Sequence, residues 1–318
     1  MIENAVKRSP RIGLALGSGG ARGSAHTGVL RVLEREGIEV AAIAGSSIGA
    51  LVGAAHAVGI PVEEVEREWL QTDAGRIFRT FLPTFPRAGL STGNELRRFL
   101  TDLLDEQPIE ELPIPYAAMA CDIDSGETVV LNRGSLVDAV RASTAIPGIF
   151  HPVRYGERLL VDGGLVDPVP VSTCRAVGAD VVIAVDITPT PQPTTSAAQR
   201  AWLRIGEQIQ EGLSQQTWVP HSLTELLESA FREPAPEHRP LPGLYSILNQ
   251  SISILVQEIL RQKMILDPPD VLIRPDIRMS IMGYHEAAEG IERGAKAAEA
   301  AMPELRRCLA SWDKNGPA

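Results

Sequence analysis

The ten residues from Ile43 to Val52, Ile-Ala-Gly-Ser-Ser-Ile-Gly-Ala-Leu-Val, restrict the fold of this chain more than any other stretch. Gly45, Ser47 and Gly49 match the G-x-S-x-G pattern of a nucleophile elbow, a sharp turn between a strand and a helix that presents a serine hydroxyl. The glycines are needed because a side chain at either position would collide with the neighbouring strand or helix. The flanks predict a short apolar strand over 39–44 and a helix of small residues over 48–58. Taken alone, the five residues are equally consistent with a plain turn.

A second glycine-rich stretch follows the first predicted strand. Residues 11–16 predict a buried strand and lead into Gly17-Ser-Gly-Gly-Ala-Arg-Gly23, after which 24–36 has helical spacing. A strand, a loop and a helix in this order are typical of half a parallel α/β unit.

Three binding functions compete for this loop. A dinucleotide site needs G-x-G-x-x-G, but Arg22 stands where the third glycine belongs, and a P-loop needs a lysine followed by serine or threonine, which is absent. Backbone N–H groups of a glycine-rich turn at a helix N-terminus also suit an oxyanion hole. A tight turn without a ligand remains the fourth interpretation.

Three aspartates follow predicted strands and are candidates for chemistry. Asp162 ends a predicted strand over 158–161 and precedes Gly163 and Gly164, which is consistent with a catalytic carboxylate or with a common turn. Asp122 and Asp124 lie between predicted strands at 116–121 and 128–131, and no further ligand cluster accompanies them. We therefore expect a solvated turn there and no metal.

Composition narrows the class of protein. The 318 residues are 44% apolar and carry a net charge of −10, which argues against nucleic acid as a partner. Three scattered cysteines favour reduced thiols, and the N-terminus lacks the apolar region of a signal peptide. Residues 40–62 are uncharged but broken by glycines and a proline, so a buried strand and helix explain them better than a membrane span. These features predict a soluble cytoplasmic protein.

The motifs taken together resemble the patatin-like phospholipase family, especially its bacterial members. The resemblance covers about 11–190 and 244–300, and one difference is Ser18, where many members have glycine. The blocks are Gly19-Gly-Ala-Arg-Gly23 with His26-Thr-Gly-Val-Leu30, Gly45-x-Ser47-x-Gly49, Ser143-x-x-Ile-Pro-Gly-Ile-Phe150, Asp162-Gly-Gly164, Gly178-Ala-Asp180 and Asp270-Val-Leu-Ile-Arg-Pro275.

The resemblance implies a three-layer α/β/α fold around a mostly parallel sheet, with a Ser47–Asp162 dyad and no cofactor. It implies hydrolysis of a lipid ester through an acyl-enzyme on Ser47. The oxyanion hole would be built from backbone groups of Gly19, Gly20, Ala21, Arg22 and Gly23. Arg22 has two further interpretations, an anchor of the loop or a contact to substrate phosphate, against a plain surface arginine. A non-catalytic lipid-binding or anion-binding protein of the same fold is the alternative function.

A histidine is the alternative to Asp162 as the base, and two histidines have suitable positions in the sequence. His26 follows the glycine loop and His151 lies between the elbow and Asp162, so both are candidates for a triad. Nothing around His221, His238 or His285 indicates a site. The dyad is the preferred interpretation.

The domain organisation predicted is a polar tail at 1–10 and one acyl hydrolase domain at 11–310, with a helical insertion at 194–243. An apolar stripe in the insertion (Ala198, Trp202, Ile205, Ile209 and Leu213) and Trp218 suggest a lid or a membrane contact. Permanent packing on the core and pairing with a second subunit are the alternatives. Helices are also predicted over 243–264, as part of the core, and over 284–309, on the surface.

Overall fold

The structure is a computed structural model, and it describes residues 8–71, 91–188, 244–281 and 283–315. By its internal contacts the chain divides into two units, 1–189 with 256–318, and 190–255. Of the second unit only 244–255, the first part of one helix, is described. The fold below is that of the first unit.

An eight-stranded sheet forms the centre of the first unit. Its strands are β1 (Ile12–Leu16), β2 (Val40–Ser46), β3 (Tyr116–Asp122), β4 (Thr128–Leu131), β5 (Val153–Tyr155), β6 (Arg158–Asp162), β7 (Val181–Val185) and β8 (Val271–Ile273). The order is β5-β6-β3-β2-β1-β7-β8, and β4 also pairs with β3. Five neighbouring strands are parallel: β3, β2, β1, β7 and β8. The pairs that β4, β5 and β6 form are antiparallel. The predicted mostly parallel sheet is confirmed.

The two faces of the sheet bury different side chains, because successive residues of a strand point to opposite faces. On β1, Leu14 and Leu16 belong to the larger apolar core, and Ala15 belongs to a smaller one. On β2 the same division separates Ile43 from Ala44. The two cores on opposite faces account for the predicted three-layer arrangement.

Helices surround the sheet. The described helices are α1 (Ser24–Arg35), α2 (Ile48–Ala57), α3 (Val62–Gln71), α4 (Asn94–Leu104), α5 (Leu136–Ser143), α6 (Val171–Ala176), α7 (Leu244–Leu266) and α8 (Ala287–Asn315). Single 3-10 turns lie at Gly20–Gly23, Ile109–Glu111, Gly163–Leu165 and Tyr284–Glu286. In the part of the chain that the structure describes, no helix combines the length and apolar character needed to cross a membrane.

The prediction that the helix at 243–264 is core is wrong for its first half. In α7, Ile247, Leu248, Ile254 and Leu255 are exposed. Only the second half contributes to the smaller core, chiefly through Leu260. An apolar residue on every side of a helix shows that the helix has apolar faces, but it does not show which of them a neighbour covers.

Two other expectations concern loops. The turn predicted around Asp124 is present, and its backbone N–H donates to the Asp122 carboxylate at 3.1 Å. The insertion predicted at 194–243 lies outside the described residues, so its roles as lid, membrane contact or subunit interface stay predictions.

We predict that Gly49→Ala destabilises the fold by about 3 kcal/mol, the upper end of the usual cost of overpacking a close-packed interior. A methyl group there would overlap the Leu16 carbonyl oxygen at the end of β1, and neither backbone can move aside. The free energy of unfolding from chemical denaturation measures the effect.

Gly37→Ala is the matched control. Gly37 has φ of +68° and no atom within 4 Å of an added methyl group, so only backbone strain of about 1–2 kcal/mol is expected. Equal losses for the two variants would show that contact with β1 does not restrict position 49.

Candidate active site

The register of three strands brings Ser47 and Asp162 to the same level of the sheet. Ser46, the last residue of β2, pairs with Met119 of β3. The next residue of β3, Ala120, pairs on the same side with Asp162 at the end of β6, because β4 occupies the other side of β3. Ser47 and Asp162 therefore lie next to each other, where the ends of β2 and β6 meet along β3.

The turn between β2 and α2 has the geometry of the predicted elbow. Ser47 has φ of 54°, one of two described non-glycine residues with a positive φ. Such a conformation costs about 1–3 kcal/mol and persists only where the surroundings enforce it. Here they do, because a methyl group on Gly45 would overlap the Gly49 carbonyl oxygen and one on Gly49 would overlap that of Leu16.

The side chains of Ser47 and Asp162 are joined by a short hydrogen bond. Ser47 Oγ donates to Asp162 Oδ2 at 2.5 Å, and both residues are buried. The other carboxylate oxygen, Oδ1, accepts the backbone N–H of Gly164 at 2.8 Å. A methyl group on Gly163 would overlap the Met119 carbonyl oxygen, so the first glycine lets this turn lie directly against β3.

Burial controls the protonation of Asp162. Loss of solvent raises the pKa of this carboxyl to about 6, although the hydrogen bonds from Ser47 and from Gly164 act in the opposite direction. The carboxylate is still the main form at neutral pH. Its affinity for a proton exceeds that of an ordinary aspartate, which suits a group that takes a proton from a hydroxyl.

One short segment at the end of α5 contacts the backbone of both residues. Ser143 Oγ accepts the N–H of Ser47 at 2.9 Å, and the carbonyl of Ala145 accepts the N–H of Asp162 at 3.0 Å. The sequence contains this segment as part of a recognisable block but does not indicate its role. The contact joins residues 96 positions apart in the chain, and no local pattern reports such a distance.

The glycine loop offers fewer free donors than the sequence predicts. The N–H of Ala21 donates to the Ile281 carbonyl at 2.8 Å, and that of Arg22 reaches the Gly19 carbonyl at 3.4 Å. Among the described residues, the backbone N–H groups of Gly19 and Gly20 have no hydrogen-bond partner. Gly20 also lines the same pocket as Ser47.

Arg22 and His26 hold this loop from inside the protein. Arg22 is buried, and its Nε donates to the Met279 carbonyl at 2.8 Å, so it is an anchor and not a surface residue. His26 is fully buried, and its Nε2 lies 2.8 Å from the Gly17 carbonyl. Burial lowers the pKa of His26 to about 4, so the ring is neutral and donates this bond.

Neither histidine considered for a triad contacts Ser47. The ring of His26 is turned toward Gly17, and the backbone of His151 bonds to Ser91 and Arg141. His285 is exposed beside Glu286, and His221 and His238 lie outside the described residues.

An apolar pocket opens beside Ser47. It has a volume of about 150 Å³, and most of its wall comes from α2, α3 and α4. Phe150 forms another part of the wall, and the Arg141 guanidinium lies 5.1 Å from the centre of its ring. Trp69 and Tyr284, which also line the pocket, stack with ring centres 6.1 Å apart. A hydroxyl paired with a carboxylate thus faces an apolar cavity.

Residues 14–175 match the family described as patatin-like phospholipase. The chain belongs to the patatin-like phospholipase family. An uncharacterized NTE family protein of Mycobacterium tuberculosis is 44% identical over 180 residues, which cover 56% of this chain and 49% of that protein. A second such protein of the same organism is 29% identical over 309 residues, which cover 93% of this chain and 48% of that protein. This patatin-like chain therefore spans about half the length of these curated relatives.

Among solved structures, VipD from Legionella pneumophila aligns with 95% of this chain and 67% of its own. Its TM-score is 0.44 and its sequence identity is 15%.

We predict that Asp162→Asn gains stability relative to the wild type as the pH rises from 4 to 8. The pKa of this carboxyl is about 6 in the folded protein, against 3.8 for an ordinary aspartate in water, so the folded protein binds the proton more tightly. The stabilisation of the wild type by this bound proton is fully present below pH 4 and is lost as the pH rises through 6. Charging the buried group then costs about 3 kcal/mol. The uncharged amide of asparagine has no such dependence.

Melting temperatures of both proteins at pH 4, 6 and 8 test this. Asp167, whose pKa burial also raises to about 6, is present in both proteins and cancels in the comparison. A difference between variant and wild type that stays constant with pH would contradict the account.

Proposed function

We propose that this chain is a serine acyl hydrolase that cleaves ester bonds of lipids, with Ser47 as nucleophile and Asp162 as its base. The observation that carries the proposal is the 2.5 Å hydrogen bond from Ser47 Oγ to Asp162 Oδ2 beside an apolar pocket. A serine hydroxyl is a weak nucleophile until an adjacent base accepts its proton. The family to which the chain belongs supports the same chemistry.

In the first step Ser47 Oγ attacks the ester carbonyl carbon while its proton passes to Asp162. The tetrahedral intermediate then collapses, the bond to the alcohol oxygen breaks, and Asp162 returns the proton to that oxygen. An acyl-enzyme on Ser47 remains. In the second step Asp162 takes a proton from a water molecule, whose oxygen attacks the acyl carbon. The bond to Ser47 Oγ then breaks, Asp162 returns the proton to that oxygen, and the carboxylic acid and free Ser47 are released.

The negative oxygen of each intermediate needs hydrogen-bond donors. We assign this role to the backbone N–H groups of Gly19 and Gly20, the two in the loop without a partner among the described residues. Ala21 is excluded because its N–H is bonded to Ile281. An oxyanion donor of this kind contributes on the order of 100–1000-fold in turnover.

The pocket favours an ester with an apolar acyl chain over one with a polar acyl group. Its wall is almost entirely aliphatic and aromatic, and burying an apolar chain stabilises the complex by about 0.8 kcal/mol per methylene. A lipid-binding protein without activity would use the same pocket. It would not require a serine held with a positive φ against a buried carboxylate, and this pairing is why we favour the enzyme.

The proposal predicts that Ser47→Ala lowers kcat for a soluble acyl ester by about 10⁴-fold or more, as for other nucleophilic serines. Ser46→Ala is the matched control. Ser46 is the neighbouring buried serine, its Oγ has no partner among the described residues, and its loss should leave kcat within about threefold. Comparable losses in both variants would rule out Ser47 as the nucleophile.

The same assay across pH separates Asp162 from a histidine base. A base must be unprotonated, so kcat/KM falls as the pH drops through about 6, the pKa of Asp162. The His151→Ala variant should show the same fall of kcat/KM at the same pH. If this fall disappeared in His151→Ala while the fold stayed intact, a triad would replace the dyad.

A further inference from the structure

The pocket beside Ser47 follows one face of α2. Ile48, Leu51, Val52 and Ala55 all line it, and their spacing of three, one and three residues places them in a single row along the helix. Ser47 lies immediately before the row. A substrate chain attached at Ser47 would therefore run along α2 from its first turn toward its last.

The connection from α2 to α3 indicates where the pocket ends. Only Val58 to Pro61 separate the helices, and the N–H of Ile60 donates to the Ala55 carbonyl at 3.0 Å, which reverses the chain directly after α2. Short connections of this kind join antiparallel neighbours. Val65, in the first turn of α3 after this reversal, and Trp69, one turn later, both line the pocket, and Ala55 is the last residue of α2 to do so.

The length of this row limits the chain that fits. From Ile48 to Ala55 the helix rises about 10 Å, at 1.5 Å for each of seven residues. An extended alkyl chain advances about 1.25 Å per carbon, because bonds of about 1.5 Å zigzag at a near-tetrahedral angle. The row therefore accommodates about eight carbons.

We propose that this pocket selects acyl chains of up to about eight carbons, with Ala55 as the residue that sets the limit. The inference rests on the proposed ester hydrolysis and adds its chain-length class. Ala55 has the smallest side chain of the row and stands at its far end, so the room for the last carbons depends on it. A larger side chain at position 55 would shorten the pocket from within.

The test measures kcat/KM for p-nitrophenyl esters of 4, 6, 8, 10, 12 and 16 carbons. For the wild type we expect a rise of up to about fourfold per methylene, the equivalent of full burial, until about eight carbons, and no further rise beyond. A rise that continues to 16 carbons would overturn the proposal, since those carbons would still be entering the pocket.

Two variants test Ala55 directly. Ala55→Phe should lower the ratio of octanoate to butyrate kcat/KM by at least tenfold, and Ala300→Phe, the same change at an exposed position of α8, should not alter it. A ratio unchanged in Ala55→Phe would contradict the assignment. Val65→Ala enlarges the same end and should raise the ratio of decanoate to octanoate by about fourfold; an unchanged ratio there would also count against it, whether or not Ala55→Phe folds.

Failure of this inference is distinct from failure of the proposed function. If Ser47→Ala removed hydrolysis of every ester while the chain-length profile was flat, the enzyme assignment would stand and the limit at Ala55 would fall. If hydrolysis did not depend on Ser47, both would fall.

Discussion

The hydrogen bond between the Ser47 hydroxyl and the Asp162 carboxylate is the contact around which the described structure is arranged. It joins the ends of β2 and β6, which meet along one side of β3, and it is made where almost no solvent reaches. Each partner is also fixed through its backbone by the segment at the end of α5, through Ser143 and Ala145. The distance between the two groups therefore depends on the register of three strands and on one loop, and not on flexible side chains alone.

This arrangement carries a cost in stability. A serine with a positive φ and a carboxylate withdrawn from water are both unfavourable, and each is retained only because closely packed neighbours leave no alternative. The neighbours in question are mostly glycines, at positions 45, 49 and 163, where an added methyl group would overlap a backbone carbonyl oxygen. Strained and desolvated groups of this kind are characteristic of functional sites, since a sequence selected for stability alone would replace them.

Much of the fold and the centre of the site could be predicted from the sequence, because their signals are local. The elbow and the parallel α/β units have short patterns, and the strand ending at Asp162 follows from a few residues. The contact of Ser143 with Ser47 and that of Ala21 with Ile281 could not be predicted, since they join segments 96 and 260 positions apart. The exposed first half of α7 was missed for a related reason: composition shows that a helix has apolar faces, but not which of them is covered.

Activation of Ser47 by Asp162 can be measured directly by covalent labelling of the serine. A fluorophosphonate reacts with an activated serine, so incubation of the folded protein should modify one residue, mapped to Ser47 by mass spectrometry. The labelling rate should fall as the pH drops through about 6, the pKa of Asp162, and should fall by orders of magnitude in Asp162→Asn at pH 8. Labelling of Ser47 at the wild-type rate in Asp162→Asn, or no labelling of the folded wild type, would contradict the account.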